Sequence, residues 1–324
     1  MGITGRIIRY GLSFALALIF VKTAQSQTAE IPRDTTYSIH SNYLKLRKHY
    51  PFVQPIAPDL PKKVRAQTGV VYKKLGARAL QLDLFYPAKR KKKKYPGVLL
   101  IHGGGWSSGS KAHQVPMAQQ LAGKGYIAAA VEYRLSPEAQ YPAAVYDLKE
   151  AVRWMRAHAA EFGLDTAKIA VLGCSAGAQL ASLLGTTNGK ENFEETTAYP
   201  NYTSDVQAVI NVDGIVSFIH PEADAEGKAA GKWLGGSRTE AFENWKAASP
   251  MEYLDAATPP FLFINSAVPR FHAGRDDMVK MLDTLGIYSE VHTIPDTPHS
   301  FWLVHPWFEP TFKDTLAFLK KVFD

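Results

Sequence analysis

Apolar residues along the chain follow two spacings that alternate from about residue 68 onward. Residues 80–86 alternate apolar and polar side chains, as in a strand with one buried face, whereas residues 97–101 are continuously apolar, as in a strand covered on both faces. Residues 143–162 place apolar side chains every three or four positions, which predicts a long helix with one buried face. Strands that alternate with helices in this way predict a mostly parallel sheet with helices on both faces.

The pattern predicts eight strands and five helices along the chain, interrupted by two polar stretches. Strands are expected at 70–72, 80–86, 97–101, 127–131, 169–172, 206–212, 261–264 and 289–294, and helices at 114–124, 143–162, 178–184, 277–285 and 311–322. Two polar stretches, 186–204 and 220–253, interrupt this order and are predicted to be insertions over the ends of the strands. Ligands of such sheets bind at the carboxyl ends of the strands, so the insertions are expected to shape a pocket.

The first 26 residues have the pattern of a cleaved secretory signal. Arg6 and Arg9 precede an apolar run at 11–21, and small residues follow at 24–26. About ten apolar residues are too few to cross a bilayer, which needs about 20. We therefore expect cleavage near Ser26, no stable membrane anchor, and export to the periplasm or beyond.

The remainder of the chain divides into an arm and a domain. Residues 27–67 contain five prolines with tyrosines between them, and they are predicted to form an N-terminal arm that wraps the surface or borders a site. Residues 68–324 are predicted to form the α/β domain.

Composition and charge narrow the class of protein. With 324 residues, 46% of them apolar and 21% charged, the chain can bury a large core, which excludes intrinsic disorder. Cys174 is the only cysteine, so no internal disulfide can form. The net charge of +7 includes three positive charges of the predicted signal, and six more form one run at 89–94 between two predicted strands. Such a run is typical of a solvated hairpin loop, so no nucleic-acid partner is expected.

The strongest chemical motif is Gly173-Cys174-Ser175-Ala176-Gly177, which lies between a predicted buried strand and a helix. A nucleophilic serine in this setting stands on a sharp turn, and small neighbours permit the backbone crowding of that turn. The motif therefore predicts Ser175 as a nucleophile.

A glycine triplet at 103–105 directly follows the strand at 97–101. Acyl transfer needs hydrogen-bond donors aimed at the oxygen that becomes negative, and glycine amides can approach that oxygen without obstruction. The predicted donors are the backbone N–H groups of Gly104, Gly105 and Ala176. The triplet lacks the lysine of a phosphate-binding loop and the spacing of a dinucleotide fingerprint, so no cofactor is expected.

The general base is expected after the last strand. His299 follows the strand at 289–294 and precedes the final helix, where its neutral imidazole could take the proton of a serine and return it to a leaving group. His272 and His305 are the rival candidates, because the other histidines fall in the arm, in or beside helices, or inside a strand.

At these residues the sequence resembles α/β-hydrolases of the hormone-sensitive-lipase-like and bacterial polysaccharide-esterase groups. The similarity runs from about residue 68 to 324 and includes residues 132–137 and 141–147. Residues 263–278 and 306–308 look like those of secreted esterases associated with pectin breakdown. The resemblance implies an α/β-hydrolase fold and a carboxylesterase that uses the nucleophile, base and donors named above.

One departure from this family pattern concerns the acid that orients the histidine. These families usually place it just after the strand at 261–264, where this chain has Val268. Asp213, at the end of the preceding strand, is the predicted acid. Asp276, Asp277 and Glu290 remain alternatives, and so does a missing acid.

The predicted substrate-binding residues are Arg270, His272, Arg275 and Trp106. The two arginines could hold a carboxylate through paired N–H bonds, which would suit a uronic-acid sugar beside the ester. Loop arginines in solvent or in structural ion pairs are the alternative.

These observations predict a secreted serine carboxylesterase that removes acetyl, methyl or feruloyl groups from a plant cell-wall polysaccharide, with pectin favoured. No cluster of residues at metal-ligand spacing predicts a metal. A general small-ester hydrolase or exopeptidase is one alternative, and a carbohydrate-binding relative with impaired catalysis is the other.

Overall fold

The computed structural model describes residues 1–2, 33–89, 94–195 and 198–324. Most of the predicted signal at 1–26 and positions 90–93 of the basic run lie outside these ranges, so the signal and its cleavage remain predictions. No helix within the described ranges is long and apolar enough to span a bilayer.

The strands and helices of the described ranges are numbered in chain order. The strands are β1 (Gln54–Pro55), β2 (Val64–Leu75), β3 (Arg78–Pro87), β4 (Tyr95–Ile101), β5 (Ile127–Val131), β6 (Leu164–Cys174), β7 (Ala208–Val212), β8 (Phe261–Asn265), β9 (Ser289–Thr293) and β10 (Val304–His305). The helices are α1 (Ile39–Leu46), α2 (Val115–Gly123), α3 (Ala143–Ala157), α4 (Ala159–Phe162), α5 (Ala176–Thr186), α6 (Gly227–Leu234), α7 (Phe242–Ala247), α8 (Arg275–Thr284) and α9 (Phe308–Phe323). Short 3₁₀ helices span Lys111–Gln114, Glu191–Phe193, Pro221–Glu226, Pro250–Tyr253, Pro269–His272 and Phe301–Leu303.

Eight of these strands form one sheet in the order β2-β3-β5-β4-β6-β7-β8-β9, while β1 pairs with β10. Every pair from β5 to β9 in this order is parallel, whereas β2 and β3 are antiparallel to their neighbours. In the centre, Leu99 of β4 lies opposite Ala129 of β5 and Val171 of β6. The predicted mostly parallel sheet is confirmed.

Alternate residues of the central strands pack on opposite sides of the sheet. Leu99 belongs to a core that also contains Leu148 of α3, whereas Leu100 belongs to a second core with Phe318 of α9. All four side chains are fully buried, and each contributes roughly 1.5–3 kcal/mol of hydrophobic stabilisation. Because neither face is open to water, the strand must be apolar throughout, as the run at 97–101 indicates.

Some predicted helix bounds differ from those observed. The helix expected at 143–162 is two helices, because His158 leaves helical geometry (φ −98°, ψ 12°) and its ring Nδ1 donates to the Trp154 carbonyl at 2.8 Å. α5 and α9 begin earlier than expected, at Ala176 and Phe308. Pro310 lies in the first turn of α9, where a proline costs no helical hydrogen bond.

The arm contains a helix that was not predicted. Ser38 caps α1 by accepting from the Ser41 N–H at 3.0 Å, and the Ser41 hydroxyl accepts from the Ser38 N–H at 2.8 Å. This reciprocal cap is visible in the sequence as two serines three residues apart before Tyr43 and Leu46. Beyond α1 the arm pairs with the segment that precedes α9, through β1 and β10.

Candidate active site

Ser175 lies at a sharp turn between β6 and α5. Its φ of 56° and ψ of −124° are strained for a residue with a side chain. The turn tolerates no larger neighbour at Gly173, since a Cβ there would lie 1.9 Å from the carbonyl oxygen of Gly177. The Ser175 N–H donates to the Val212 carbonyl at 2.9 Å, which holds the turn against the end of β7. The strand–turn–helix setting that the motif predicts is therefore present.

Ser175, His299 and Asp213 form one chain of hydrogen bonds. His299 Nε2 lies 2.9 Å from Ser175 Oγ, and His299 Nδ1 lies 2.7 Å from Asp213 Oδ2. The Asp213 side chain is fully buried, whereas 19% of the His299 side chain is exposed. The structure thus brings together the nucleophile, base and acid residues named from the sequence, which come from three separate segments.

Asp213 is held by hydrogen bonds to the strand beside it. Its N–H donates to the Ile264 carbonyl at 2.9 Å, and its Oδ1 accepts from the Ser266 N–H at 2.9 Å. Its backbone adopts a positive φ of 55°, and the Asn211 side chain supports this turn by accepting from the Gly214 N–H at 2.9 Å. The second carboxylate oxygen, Oδ2, is therefore fixed in the direction of His299.

Two aromatic rings hold the imidazole of His299. The Phe271 ring stacks on it with centroids 3.5 Å apart and planes 11° apart, and Trp302 meets it edge-on at 5.1 Å. Arg270 lies over the Phe271 ring, with its guanidinium carbon 4.0 Å from the ring centroid. These contacts restrict the ring orientation that the Asp213 hydrogen bond selects.

The glycine triplet forms a tight loop beside Ser175. Gly104 has a φ of 128°, and a Cβ there would lie 2.1 Å from the Ser108 carbonyl oxygen, so only glycine fits. The Gly104 carbonyl accepts from the Ser108 N–H at 3.0 Å, which closes the loop. Gly104 and Gly105 line the same cavity as Ser175, and Ala176 is the first residue of α5.

Two cavities of different size open at Ser175. The larger, which we call the outer cleft, has a volume of about 430 Å³, and the smaller, the inner pocket, has about 30 Å³. The outer cleft is lined by Tyr37, Ser41, Asn42, Lys45, Leu46, Gly104, Gly105, Ser108, Ser175, Arg270, Phe271, His299 and Ser300. The inner pocket is lined by Gly105, Trp106, Ser175, Ala176, Asp213, Gly214, Ile215 and Phe271.

The four predicted substrate-binding residues occupy different places. Arg270 lines the outer cleft and Trp106 lines the inner pocket. Arg275 instead donates to the Asn265 side chain at 2.8 Å and pairs with a neighbouring aspartate, and it lines neither cavity. His272 also lines neither cavity, and burial together with the charge of Arg275 lowers its pKa. The predicted pair of cleft arginines is thus reduced to Arg270.

The alternative acids are engaged elsewhere. Asp276 pairs with Arg275, Asp277 pairs with Lys280, and Glu290 pairs with Lys321. The rival base His305 pairs with Glu309 at the start of α9. Within the described residues, no three His, Cys, Asp or Glu side chains are grouped so as to hold a metal ion.

The segment at 132–147 that carries part of the family resemblance has a structural role. Arg134 donates to both carboxylate oxygens of Asp147 at 2.8 Å, and Lys73 bonds the same carboxylate at 2.9 Å. The Asp147 side chain is fully buried, so this network fixes the loop after β5 to α3. It does not reach Ser175.

The arm borders the site, which is one of the two positions expected for it, and it contributes residues that were not named from the sequence. Tyr37, Asn42 and Lys45 line the outer cleft, and the Tyr37 hydroxyl lies 2.9 Å from the hydroxyl of Ser300, the residue after the base. No motif marks these residues, because their position depends on where the arm packs. The stacking role of Phe271 was missed for the same reason.

Comparison with known proteins agrees with this site. The family model described as BD-FAE matches residues 82–284, which is more than half of the chain. The matched segment contains Ser175 and Asp213, whereas His299 and the arm lie outside it. Esterase LipC of Mycobacterium tuberculosis is 30% identical over 194 residues, which are 57% of this chain and 47% of LipC. The chain spans about half the length of the curated relatives it matches.

Solved structures of similar fold include two enzymes. A bifunctional GH43-CE of Bacteroides eggerthii has a TM-score of 0.69 and 27% identity, and the match covers 80% of this chain and 38% of that protein. Esterase 2 of Thermogutta terrifontis has a TM-score of 0.68 and 25% identity, and the match covers 82% of this chain and 97% of the esterase. The α/β-hydrolase fold expected from the sequence is therefore confirmed.

Two buried histidines lie behind the glycine loop. Burial lowers the pKa of His102 to about 3 and that of His113 to about 4, so both rings are neutral near pH 7. His102 stacks on Tyr133 with centroids 4.5 Å apart, and His113 Nε2 donates to the Tyr37 carbonyl at 2.8 Å. Both rings serve the packing of the loop and the arm.

These histidines predict a pH dependence of stability. Below about pH 6.5 the unfolded chain binds protons at these two rings, whereas the folded protein does not until about pH 4 at His113 and about pH 3 at His102. The free energy of unfolding therefore falls as the pH drops through this window. Each ring accounts for about 2 kcal/mol between pH 7 and pH 5. In denaturant unfolding at the two pH values, His113→Gln should reduce the drop by about this amount, whereas His49→Gln, an exposed control, should not change it. An equal drop in wild type and His113→Gln would show that the ring of His113 is not a source of the pH dependence.

Proposed function

The chain belongs to the BD-FAE family, a hormone-sensitive-lipase-like family of α/β-hydrolases, and on this premise we propose that its Ser175 centre hydrolyses carboxylic esters. The observation that carries the proposal is the pair of short contacts made by His299, 2.9 Å to Ser175 Oγ and 2.7 Å to Asp213 Oδ2. An imidazole so placed can remove the serine proton while the buried carboxylate stabilises the resulting positive charge.

The proposed reaction has two stages. Ser175 Oγ attacks the ester carbonyl carbon while its proton passes to His299 Nε2, and the amides of Gly104, Gly105 and Ala176 bind the oxygen that becomes negative. The bond between that carbon and the alcohol oxygen then breaks, and the alcohol leaves with the proton from His299. Water, deprotonated by His299, attacks the acyl-serine and releases the carboxylic acid and free Ser175.

The proposed catalytic residues are tested by substitution. Ser175→Ala should lower kcat for p-nitrophenyl acetate by about 10⁶ and Asp213→Asn by about 10⁴, because the first removes the nucleophile and the second the group that orients His299. Asp276→Asn, a surface control, should retain wild-type kcat. Full activity in Asp213→Asn, or equal inertness of wild type and Ser175→Ala, would contradict the proposed centre.

The proposed substrate is an ester on a carbohydrate, with pectin favoured. A carbohydrate-esterase neighbour among the solved structures supports a carbohydrate. Lys45 supports an acidic sugar: it places a positive charge on the outer cleft, and none of the described side chains that line this cleft is a carboxylate. Uronic acids carry a carboxylate that such a cation attracts. The ester group proposed on this sugar is acetyl, methyl or feruloyl.

Neutralising Lys45 should weaken the preference for acidic sugars. For Lys45→Gln we expect kcat/KM on acetylated oligogalacturonides to fall by about 5-fold relative to that on acetylated xylo-oligosaccharides, and the difference should shrink at high salt. Lys48→Gln, which removes an exposed lysine just beyond the same helix, is the matched control. An unchanged ratio between the two substrates in Lys45→Gln would argue against an anionic sugar in the outer cleft.

Export of the protein completes the proposal. The support is the basic, apolar and small-residue order of positions 1–26 described above. A polysaccharide too large to enter the cytoplasm would require an enzyme outside it.

Cleavage after Ser26 predicts Gln27 as the first residue of the mature protein. N-terminal sequencing of protein recovered from the periplasmic or extracellular fraction checks this. Protein confined to the cytoplasm with its N-terminal segment intact would contradict export.

A further inference from the structure

The two cavities at Ser175 differ in their access to His299, and this difference indicates which half of the ester each cavity holds. His299 lines the outer cleft but not the inner pocket, whereas Ser175 lines both. In the proposed reaction His299 must protonate the leaving alcohol. The alcohol therefore lies in the outer cleft, and the acyl group of the same ester extends into the inner pocket.

The inner pocket is small. Its volume of about 30 Å³ is that of about two water molecules, since one water needs roughly 10–15 Å³ measured in the same way. This is room for a methyl group beside the carbonyl carbon. An aromatic acyl group or a sugar ring needs several times this volume.

The wall formed by Trp106 is fixed. Its indole N–H donates to the Gln179 side chain at 2.9 Å, and its ring stacks on Trp233 with centroids 5.2 Å apart and planes 9° apart. Gln179 is itself fully buried and donates to the Ala248 carbonyl at 2.8 Å. Trp106 cannot move outward without breaking these contacts.

The other walls are also packed. The Ile215 side chain is 4% exposed and belongs to the core that contains Trp233. Phe271 is held by its stacking on His299. Interiors packed in this way resist an added methylene group, so the buried walls formed by Trp106 and Ile215 resist widening toward a longer acyl chain.

We propose that the inner pocket is an acyl subsite that admits acetyl and excludes longer groups, an inference that rests on the proposed ester hydrolysis. Of the ester types open above, acetyl esters alone place a methyl group in this pocket. A methyl-esterified uronate would place its sugar ring there, and a feruloyl ester its aromatic ring. The substrate is therefore an O-acetylated sugar, with the sugar in the outer cleft.

A series of acyl chain lengths tests the subsite in the wild-type protein. With p-nitrophenyl acetate, propionate and butyrate, which share one leaving group, kcat/KM should fall by about 10-fold or more with each added methylene group. Equal rates on acetate and butyrate would overturn the acyl subsite while leaving the ester hydrolase proposal intact. Inertness toward all three esters would overturn the proposed function and this inference with it.

A substitution locates the selectivity. Ile215→Ala enlarges the inner pocket, so the butyrate-to-acetate ratio of kcat/KM should rise by about 10-fold or more. Leu46→Ala removes the same number of carbon atoms from the outer cleft, and it should leave this ratio at the wild-type value. A ratio that responds to Leu46→Ala and not to Ile215→Ala would place the acyl group in the outer cleft and overturn the assignment.

Natural esters give an independent measurement. Wild-type protein incubated with acetylated, methyl-esterified pectin and with feruloylated arabinoxylan fragments should release acetate without methanol or ferulate. Methanol or ferulate release at a rate comparable with acetate release would overturn the subsite. Ser175→Ala, assayed in parallel, shows whether any release depends on this centre.

Discussion

The position of the Asp213 carboxylate is the constraint on which the rest of the site depends. One carboxylate oxygen of Asp213 accepts a hydrogen bond from the Ser266 N–H just beyond β8, and the Asp213 backbone N–H donates to the Ile264 carbonyl within β8. Two hydrogen bonds therefore tie Asp213 to the neighbouring strand. The second oxygen is left for His299 at 2.7 Å. A buried carboxylate with both oxygens occupied is stable only while these donors stay in place, and the imidazole has one orientation as a consequence.

This arrangement explains how the chain accommodates Val268 near the place where related enzymes usually carry the acid. The carboxylate comes from the neighbouring strand β7, whose last residue, Val212, lies opposite Ile264 of β8. This placement depends on a left-handed backbone at Asp213, which an aspartate tolerates better than most residues with side chains. The strain at Ser175 and at Asp213 is offset by the packed, buried strands that precede them.

The sequence predicted those features of the fold and the site that depend on residues close together in the chain. The apolar run at 97–101, the helical spacing that predicted one helix at 143–162, and the crowded turn around Ser175 each depend on neighbours within a few positions. Each was visible, although the break at His158 was not. Asp213 could be ranked first among several acids but not singled out, because its distance from His299 is a property of the folded sheet. The arm's place in the cleft and the stacking of Phe271 arise from contacts between distant segments. For Arg275 the sequence left both a substrate contact and a structural ion pair open, and its contacts with Asn265 and Asp276 correspond to the second.

The hydrogen bond between Tyr37 and Ser300 joins residues 263 positions apart. Closing so long a loop in an unfolded chain carries a large entropic cost, which falls when the sheet between the two segments has already formed. The outer cleft, which Tyr37 and Ser300 both line, therefore depends on contact between segments from opposite ends of the described chain. During synthesis Ser175 and Asp213 leave the ribosome before His299 does, so the hydrogen-bond chain of these three residues can form only after residue 299 has been added.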